Sequence, residues 1–249
     1  MTRVFHLAET GSTNAQAMAR AVAGEPLPFW VSAERQTAGK GRSGRKWVSD
    51  AGNLHASLAL RLNCDQKRAS QLSLVAGVAL IDALGALSAG QSAAKIDQIR
   101  LKWPNDIVAG ADGNSAKLGG ILIETTCDFG CGGLICVIGF GLNVVSCPTV
   151  ERKVTHLAEL GFRVTQGLVH AALAASIESA LTLWAEGENF AAIRARWLEV
   201  GMPLGSLIRV HAGDTIAEGQ FGGLDNDGAL LMKDLSGRIV RFTFGDVTL

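Results

Sequence analysis

Between residues 37 and 49 the chain reads TAGKGRSGRKWVS. Gly39, Gly41 and Gly44 free the backbone there, and Lys40, Arg42, Arg45 and Lys46 add positive charge with no acid among them. A main chain of that freedom can turn its N–H groups inward as a nest for an anion, and cations at that spacing neutralise phosphate oxygens. The stretch is not a phosphate loop of the G-x-x-x-x-G-K-S/T type. GKGRSG at 39–44 does satisfy G-x-G-x-x-G, but RKWVSDAGN follows it where a dinucleotide site needs a helix. A solvated basic loop has the same composition, so the stretch alone leaves both readings open.

A second group is LKWPNDI, residues 101–107. Pro104 disfavours the helical region for Trp103. A strand ending there turns sharply and sets Lys102, Asn105 and Asp106 at its end. Asp106 offers hard oxygens to a magnesium ion, which keeps waters and substrate phosphates as further ligands. An ordinary Pro-Asn-Asp turn is the alternative. In AKLGGILIE, residues 116–124, Lys117 opens a strand that Gly119 and Gly120 weaken. Glycine there points to close approach by a ligand or by another backbone. Lys117 then faces either an anion or solvent. GFGLNV, residues 139–144, presents the Asn143 amide in what reads on its own as a bulged strand.

The elements that must carry these groups follow from periodicity. RVFHLAE (3–9) and FWVSAE (29–34) read as strands around a helix over 12–23, where Thr13 and Gln16 have capping-box spacing. LHASLALRL (54–62) alternates as a strand, and 67–89 has helical period. Strands follow at 98–103, 116–125 and 133–144, with DGN at 112–114 as a hairpin turn, and helices at 167–186 and 190–200. GMPLG, from 201, is a break. Beyond it, short alternating runs separated by AGD, DNDG and LSG have the rhythm of a small β-barrel, with a domain boundary near 203.

The totals agree with an enzyme-sized globular chain. It has 249 residues, 48% apolar and 18% charged, enough for one large domain and a small one. Lys plus Arg equals Asp plus Glu at 23 each, which argues against a general nucleic-acid binder and leaves room for a local anion site. The opening MTRVFHLAETGSTN lacks the apolar core of a signal peptide. LSLVAGVALIDALGALSAG (72–90) carries Asp82 and reads as a core helix rather than a membrane span, so a cytoplasmic location is expected. Cys64, Cys127, Cys131, Cys136 and Cys147 form no paired CxxC sets, so reduced thiols are expected and a zinc site is not.

Taken in order, GSTN, QTAGKGRSGRKW, LKWPNDI, KLGGILIE and GFGLNV closely resemble the motifs of bacterial biotin protein ligases, from about residue 6 to 249. The resemblance is to the short form without an N-terminal DNA-binding domain. It implies an α+β fold with a mixed, largely antiparallel sheet and packed helices, of the class II aminoacyl-tRNA-synthetase-like, biotin–lipoyl ligase kind. This catalytic domain would span 1–202 and an SH3-like β domain 203–249. The implied reaction activates biotin with ATP and Mg²⁺ to biotinyl-5′-AMP. Biotin then passes to a lysine of the biotin carboxyl carrier protein of acetyl-CoA carboxylase.

By the same resemblance, Ser12, Thr13, Asn14, Gln36 and Gly119 would bind biotin, with Lys40, Gly41, Arg42 and Lys117. Lys117, Arg42 and Lys40 would be the catalytic cations. Arg42, Arg45, Trp47, Lys102, Asn105 and Asn143 would hold the nucleotide, and Asp106 the metal. Family loops commonly have Arg at the place of Lys40 and often a further base at Ser43, which bears on loop closure. The motifs start close to Met1, so no DNA-binding domain and no nucleic-acid partner are expected. No membrane partner is expected, and the resemblance leaves room for a homodimer. A lipoate or octanoate ligase or transferase of the same fold, or a biotin sensor without chemistry, are the alternatives.

Overall fold

Ser12 starts the first helix. Its extended backbone and its side-chain oxygen, which accepts from Ala15 N at 3.4 Å, cap α1 (Thr13–Val22). The cap expected at Thr13 therefore falls one residue earlier, with Ala15 where a capping box would need Glu or Gln, and the Thr13 N–H and hydroxyl are taken by Gln36. The computed structural model describes residues 2–110, 114–128 and 132–249. The expected DGN turn and Cys131 fall wholly or partly outside them.

Before α1 comes β1 (Arg3–Thr10), and after it β2 (Phe29–Gln36) and β3 (Leu54–Leu62). The helix expected over 67–89 is two helices, α2 (Gln66–Ala69) and α3 (Leu72–Ser88). They meet at Ser70 and Gln71, where the Gln71 side-chain Oε1 accepts from Trp184 Nε1 at 2.8 Å. Then follow β4 (Ile99–Lys102), β5 (Asp106–Ala109), β6 (Ala116–Cys127), β7 (Leu134–Leu142), α4 (Gln166–Trp184) and α5 (Phe190–Val200). Their strands make one seven-stranded sheet in the order β1-β2-β3-β7-β6-β5-β4. Only the β1–β2 pairing is parallel, so the sheet is mixed and largely antiparallel.

Both faces of the sheet are covered. On one, Ala17 and Ala21 of α1 pack on Phe29, Val31, Ala59 and Val137. On the other, α3, α4 and α5 bury Leu80, Leu84, Leu173, Ile177, Ile193 and Trp197 against the sheet. The period of two along β3 sends Leu58 and Leu60 to the second face and Ser57 and Ala59 to the first, beside α1. The stretches Gln66–Ser88 and Gln166–Gly187 are long and apolar enough to cross a membrane by length and composition; the first lies 67% buried in this core.

The last strands are β8 (Leu207–Ala212), β9 (Thr215–Leu224), β10 (Leu230–Asp234), β11 (Ile239–Phe242) and β12 (Asp246–Thr248). They form a separate antiparallel sheet, β11-β10-β9-β8-β12. Its apolar side joins the main core through Ile208, Phe221, Leu230 and Met232. Trp103 Nε1 also donates to Gly228 O at 3.0 Å across the junction.

Candidate active site

The cleft opens on the α1 face, at the end of β2, over the first half of β6 and the C-terminal part of β7. Its polar end is rigid. Asn14 Oδ1 lies 2.6 Å from Ser57 Oγ, and Asn14 Nδ2 donates to Glu124 Oε2 at 2.8 Å and to Leu122 O at 3.3 Å. Gln36 Oε1 accepts from Thr13 N at 2.8 Å and Thr13 Oγ1 at 3.0 Å, while its amide donates to Ser49 Oγ at 2.8 Å. Donors and acceptors fixed in this way meet a polar ligand without first being ordered. Gly139 makes the arrangement possible, since a Cβ there would stand 2.1 Å from Asn14 Oδ1.

The basic loop is folded down over the cleft. Gly41 N donates to Arg45 O at 2.7 Å and Trp47 N to Gly39 O at 2.9 Å, so the loop is a narrow hairpin. Its tip is left-handed at Ser43 (φ 54°) and Gly44 (φ 71°). Ser43 thus occupies a conformation that disfavours most side chains. The Trp47 ring lies flat on the backbone of β7, where a Cβ on Gly141 would come within 2.6 Å of it. Lys117 Nζ is 5.8 Å from that ring's centroid, within cation–π range. Arg42 donates to Asn105 Oδ1 at 3.1 Å and to Gly245 O at 3.2 Å, and Arg45 reaches Asp246 Oδ1 at 3.0 Å. The loop is therefore tied to the C-terminal sheet.

Lys117 and Asp106 form a close ion pair, and Lys102 Nζ approaches the other carboxylate oxygen at 3.1 Å. Burial acts to raise the Asp106 pKa, but the two ammoniums overcome it and hold the carboxyl below its usual range. Burial pushes Lys117 downward, with Asp106 acting against it. Among the described residues no three His, Cys, Asp or Glu side chains converge as a metal site. Asp106 is the one carboxylate lining the main cleft. That donor set does not cage a metal, and it suits a magnesium ion carried on phosphates.

The main cleft has about 640 Å³ of empty space, its open mouth included. Ser12, Thr13, Asn14 and Gln36 line its polar end, and Lys40, Gly41, Arg42, Arg45 and Trp47 its lid. Asn105, Asp106 and Lys117 line the side toward the C-terminal sheet. Three expected residues lie elsewhere. Gly119 is glycine for strand packing, since a Cβ would meet Gly141 O at 2.7 Å; Gly120 is the one that faces the cleft. Asn143 is buried and donates to Thr155 O at 2.9 Å. It lines a second pocket of about 330 Å³ with an apolar wall of Val48, Pro148, Val150 and Val154, which shares Lys46, Trp47, Lys117 and Arg152 with the first. Lys102 donates to Val247 O at 2.9 Å and lines a cationic groove of about 910 Å³ on the outer side of Asp106.

Sequence reasoning missed Ser57, Gly139, Gly141, Arg152 and Asp246. The two glycines had a signal: in GFG the period of two puts both on the cleft face and Phe140 in the core. Ser57 and Asp246 had none, because their partners are distant in sequence.

A sheet flanked by helices, a basic lid and paired pockets that share Lys46, Trp47, Lys117 and Arg152 fit a ligase of the biotin/lipoate class. The chain matches the biotin/lipoate A/B protein ligase family over residues 18–143 and the biotin protein ligase C-terminal domain over 204–249. It is 35% identical over 240 residues to the biotin–(acetyl-CoA-carboxylase) ligase of Paracoccus denitrificans, covering 94% of this chain and 95% of that one. The ligase of the same name from Mycobacterium tuberculosis is 35% identical over 249 residues, covering 97% and 86%. The Aquifex aeolicus biotin protein ligase solved with biotin and ATP superposes over 100% of this chain and 98% of its own, with a TM-score of 0.78 at 24% identity. The chain belongs to the biotin protein ligase family.

Proposed function

We propose that the polar end of the cleft binds the ureido ring of biotin, the apolar pocket binds adenine, and Lys117 stands where carboxylate and α-phosphate meet. The observation that carries this is the placement of Lys117, which lines both pockets at their junction. The activity is that of a biotin–(acetyl-CoA-carboxylase) ligase. A biotin carboxylate oxygen bonds to the α-phosphorus of ATP as pyrophosphate leaves. The carrier protein's lysine amine then bonds to the acyl carbon, AMP departs, and the amine's proton passes to solvent.

No enzyme nucleophile is needed. Two anions must meet, and Lys117, Arg42 and Lys40 offset their repulsion and the charge that develops at phosphorus. The hairpin of 39–47 covers the mixed anhydride and keeps water from it. Asp106 would meet the magnesium ion arriving with the nucleotide, and that ion would supply Lewis-acid charge. A division near residue 203, a cytosolic location where ATP is supplied, and no nucleic-acid partner belong to the same reading. So does a homodimer: β5 pairs with β6 only as far as Gly120, and among the described residues no strand lies beside the rest of that edge.

ATP–pyrophosphate exchange with biotin, lipoate, octanoate or no acid tests the reading. Exchange with biotin alone is expected. Exchange with lipoate or octanoate instead would move the chain to the lipoate branch, and tight biotin binding without exchange would make it a sensor.

A further inference from the structure

Arg152 belongs to none of the motifs, yet it lines all three spaces around Lys117: the main cleft, the apolar pocket and the cationic groove. Its backbone is tied to that of the lysine. Lys117 N donates to Lys153 O at 2.9 Å and Thr155 N to Lys117 O at 3.0 Å, so residues 153–155 run beside the start of β6. The other arginines and lysines lining the groove already have partners, Lys153 the side-chain oxygen of Asn114 and the rest acids. Lys102 and Lys117 share Asp106, and Arg42 and Arg45 share Asp246. Among the described residues Arg152 has no hydrogen bond or ion pair, and it is exposed at the mouth of the groove. Its charge acts on Lys117 all the same, opposing protonation of that ammonium.

We propose that Arg152 binds the β- and γ-phosphates of ATP and then the departing pyrophosphate, a role that rests on the adenylation reading above. When the carboxylate oxygen bonds to the α-phosphorus, the bond from phosphorus to the α,β-bridging oxygen breaks and its electron pair leaves on pyrophosphate. That charge must be met outside both the biotin and the adenine pockets. The groove is the space that remains, and Arg152, Lys102, Lys153 and Arg45 line it. A guanidinium presents two parallel N–H groups to phosphate oxygens, and one with no partner to give up meets them without breaking an existing pair.

The test compares wild type, Arg152→Ala and Arg152→Lys in biotin-dependent ATP–pyrophosphate exchange, with a thermal melt of each. In Arg152→Ala the KM for pyrophosphate and for ATP is expected to rise about tenfold, or about 1.4 kcal/mol. The KM for biotin and the Tm are expected to stay at wild-type values. Arg152→Lys, which keeps the charge and loses the fork, is expected to lie between the two. Pyrophosphate and ATP constants within twofold of wild type in Arg152→Ala would overturn the assignment while leaving the ligase reading intact. So would a biotin KM that rises in step, or a lowered Tm, since either marks a structural role. If the wild type itself shows no biotin-dependent exchange, the adenylation reading fails and the assignment falls with it.

Discussion

Gly139→Ala should damage the biotin end of the cleft and the fold together, by an amount the geometry sets. The added Cβ would lie 2.1 Å from Asn14 Oδ1, 2.8 Å from its Cγ and 3.0 Å from its Nδ2. All three are closer than carbon tolerates, so the Asn14 side chain must leave. It then gives up the contact with Ser57 Oγ and the bonds to Glu124 and Leu122 O. At about 1 kcal/mol each the loss is roughly 3 kcal/mol. For a chain of this size that lowers Tm by about 6–12 °C. If Asn14 contributes one or two of the bonds to the ureido ring, biotin KM rises about five- to thirtyfold. Gly120→Ala is the matched control. Its Cβ would stand at ordinary or near-ordinary contact, 3.4 and 3.5 Å from the end of Lys117 and 3.8 Å from Asn105 O, so the melt should stay near wild type. A thermal melt and a biotin titration of the exchange reaction measure both. A Gly139→Ala protein that melts within about 2 °C of wild type and keeps its biotin KM would refute the reasoning.

Other expectations are more local. Burial, with His6 adding to it, holds the His170 pKa below the ordinary value, and His170 Nε2 is buried without a partner beside Trp30. The unfolded chain then binds more protons than the folded one, so stability is full above about pH 6.5 and falls as pH drops below it. Melts between pH 7.5 and 5.5 should show this, with a shallower slope in His170→Leu; an unchanged slope would clear His170 of the effect. His55, also depressed by burial, should keep that slope from vanishing. Asp246→Asn removes the acid shared by Arg42 and Arg45. Asp246 and Arg45 are about half exposed, so the expected stability change is about 1 kcal/mol or less. Trypsin should nonetheless cut the loop at Arg42 or Arg45 faster, and equal cleavage rates would show that the acid does not hold the loop.

How far the site can be read from sequence depends on whether its partners are neighbours in the chain. Pro104 announces the turn that sets Asn105 and Asp106 at a strand end, and the glycines of 39–44 announce a loop that can close. These are local effects of φ and of side-chain size. The alternation in 54–62 correctly makes β3, but it does not say that Ser57 completes a network with Asn14, which comes 43 residues earlier. Asp246 is 204 residues from Arg42, and nothing in the loop foretells that an acid from the C-terminal sheet will meet it. Gly119 misled for a related reason. A glycine in a strand serves a ligand or a neighbouring backbone, and only the register with Leu142 shows that here the backbone needs it.

The two acids of the site differ in one respect that bears on how the lid works. Asp106 is mostly buried, its side chain 18% exposed, and so are Lys102 and Lys117 at 19% and 16%. Removing one member of such a cluster strands a charge away from water, so the cluster is costly to break. Asp246 is 47% exposed and Arg45 52%, where an ion pair contributes little and exchanges readily. Each acid faces a pair of cations, so both clusters keep positive charge for an incoming anion. The difference in burial then assigns them separate tasks. Lys117 is held in place before any substrate arrives. Arg42 and Arg45 pair with Asp246, and on the function proposed above they would trade that carboxylate for phosphate oxygens. Closing over a nucleotide thus exchanges one anionic partner for another and leaves no arginine without one, which lets a chain of zero net charge keep so much of its positive charge in one loop.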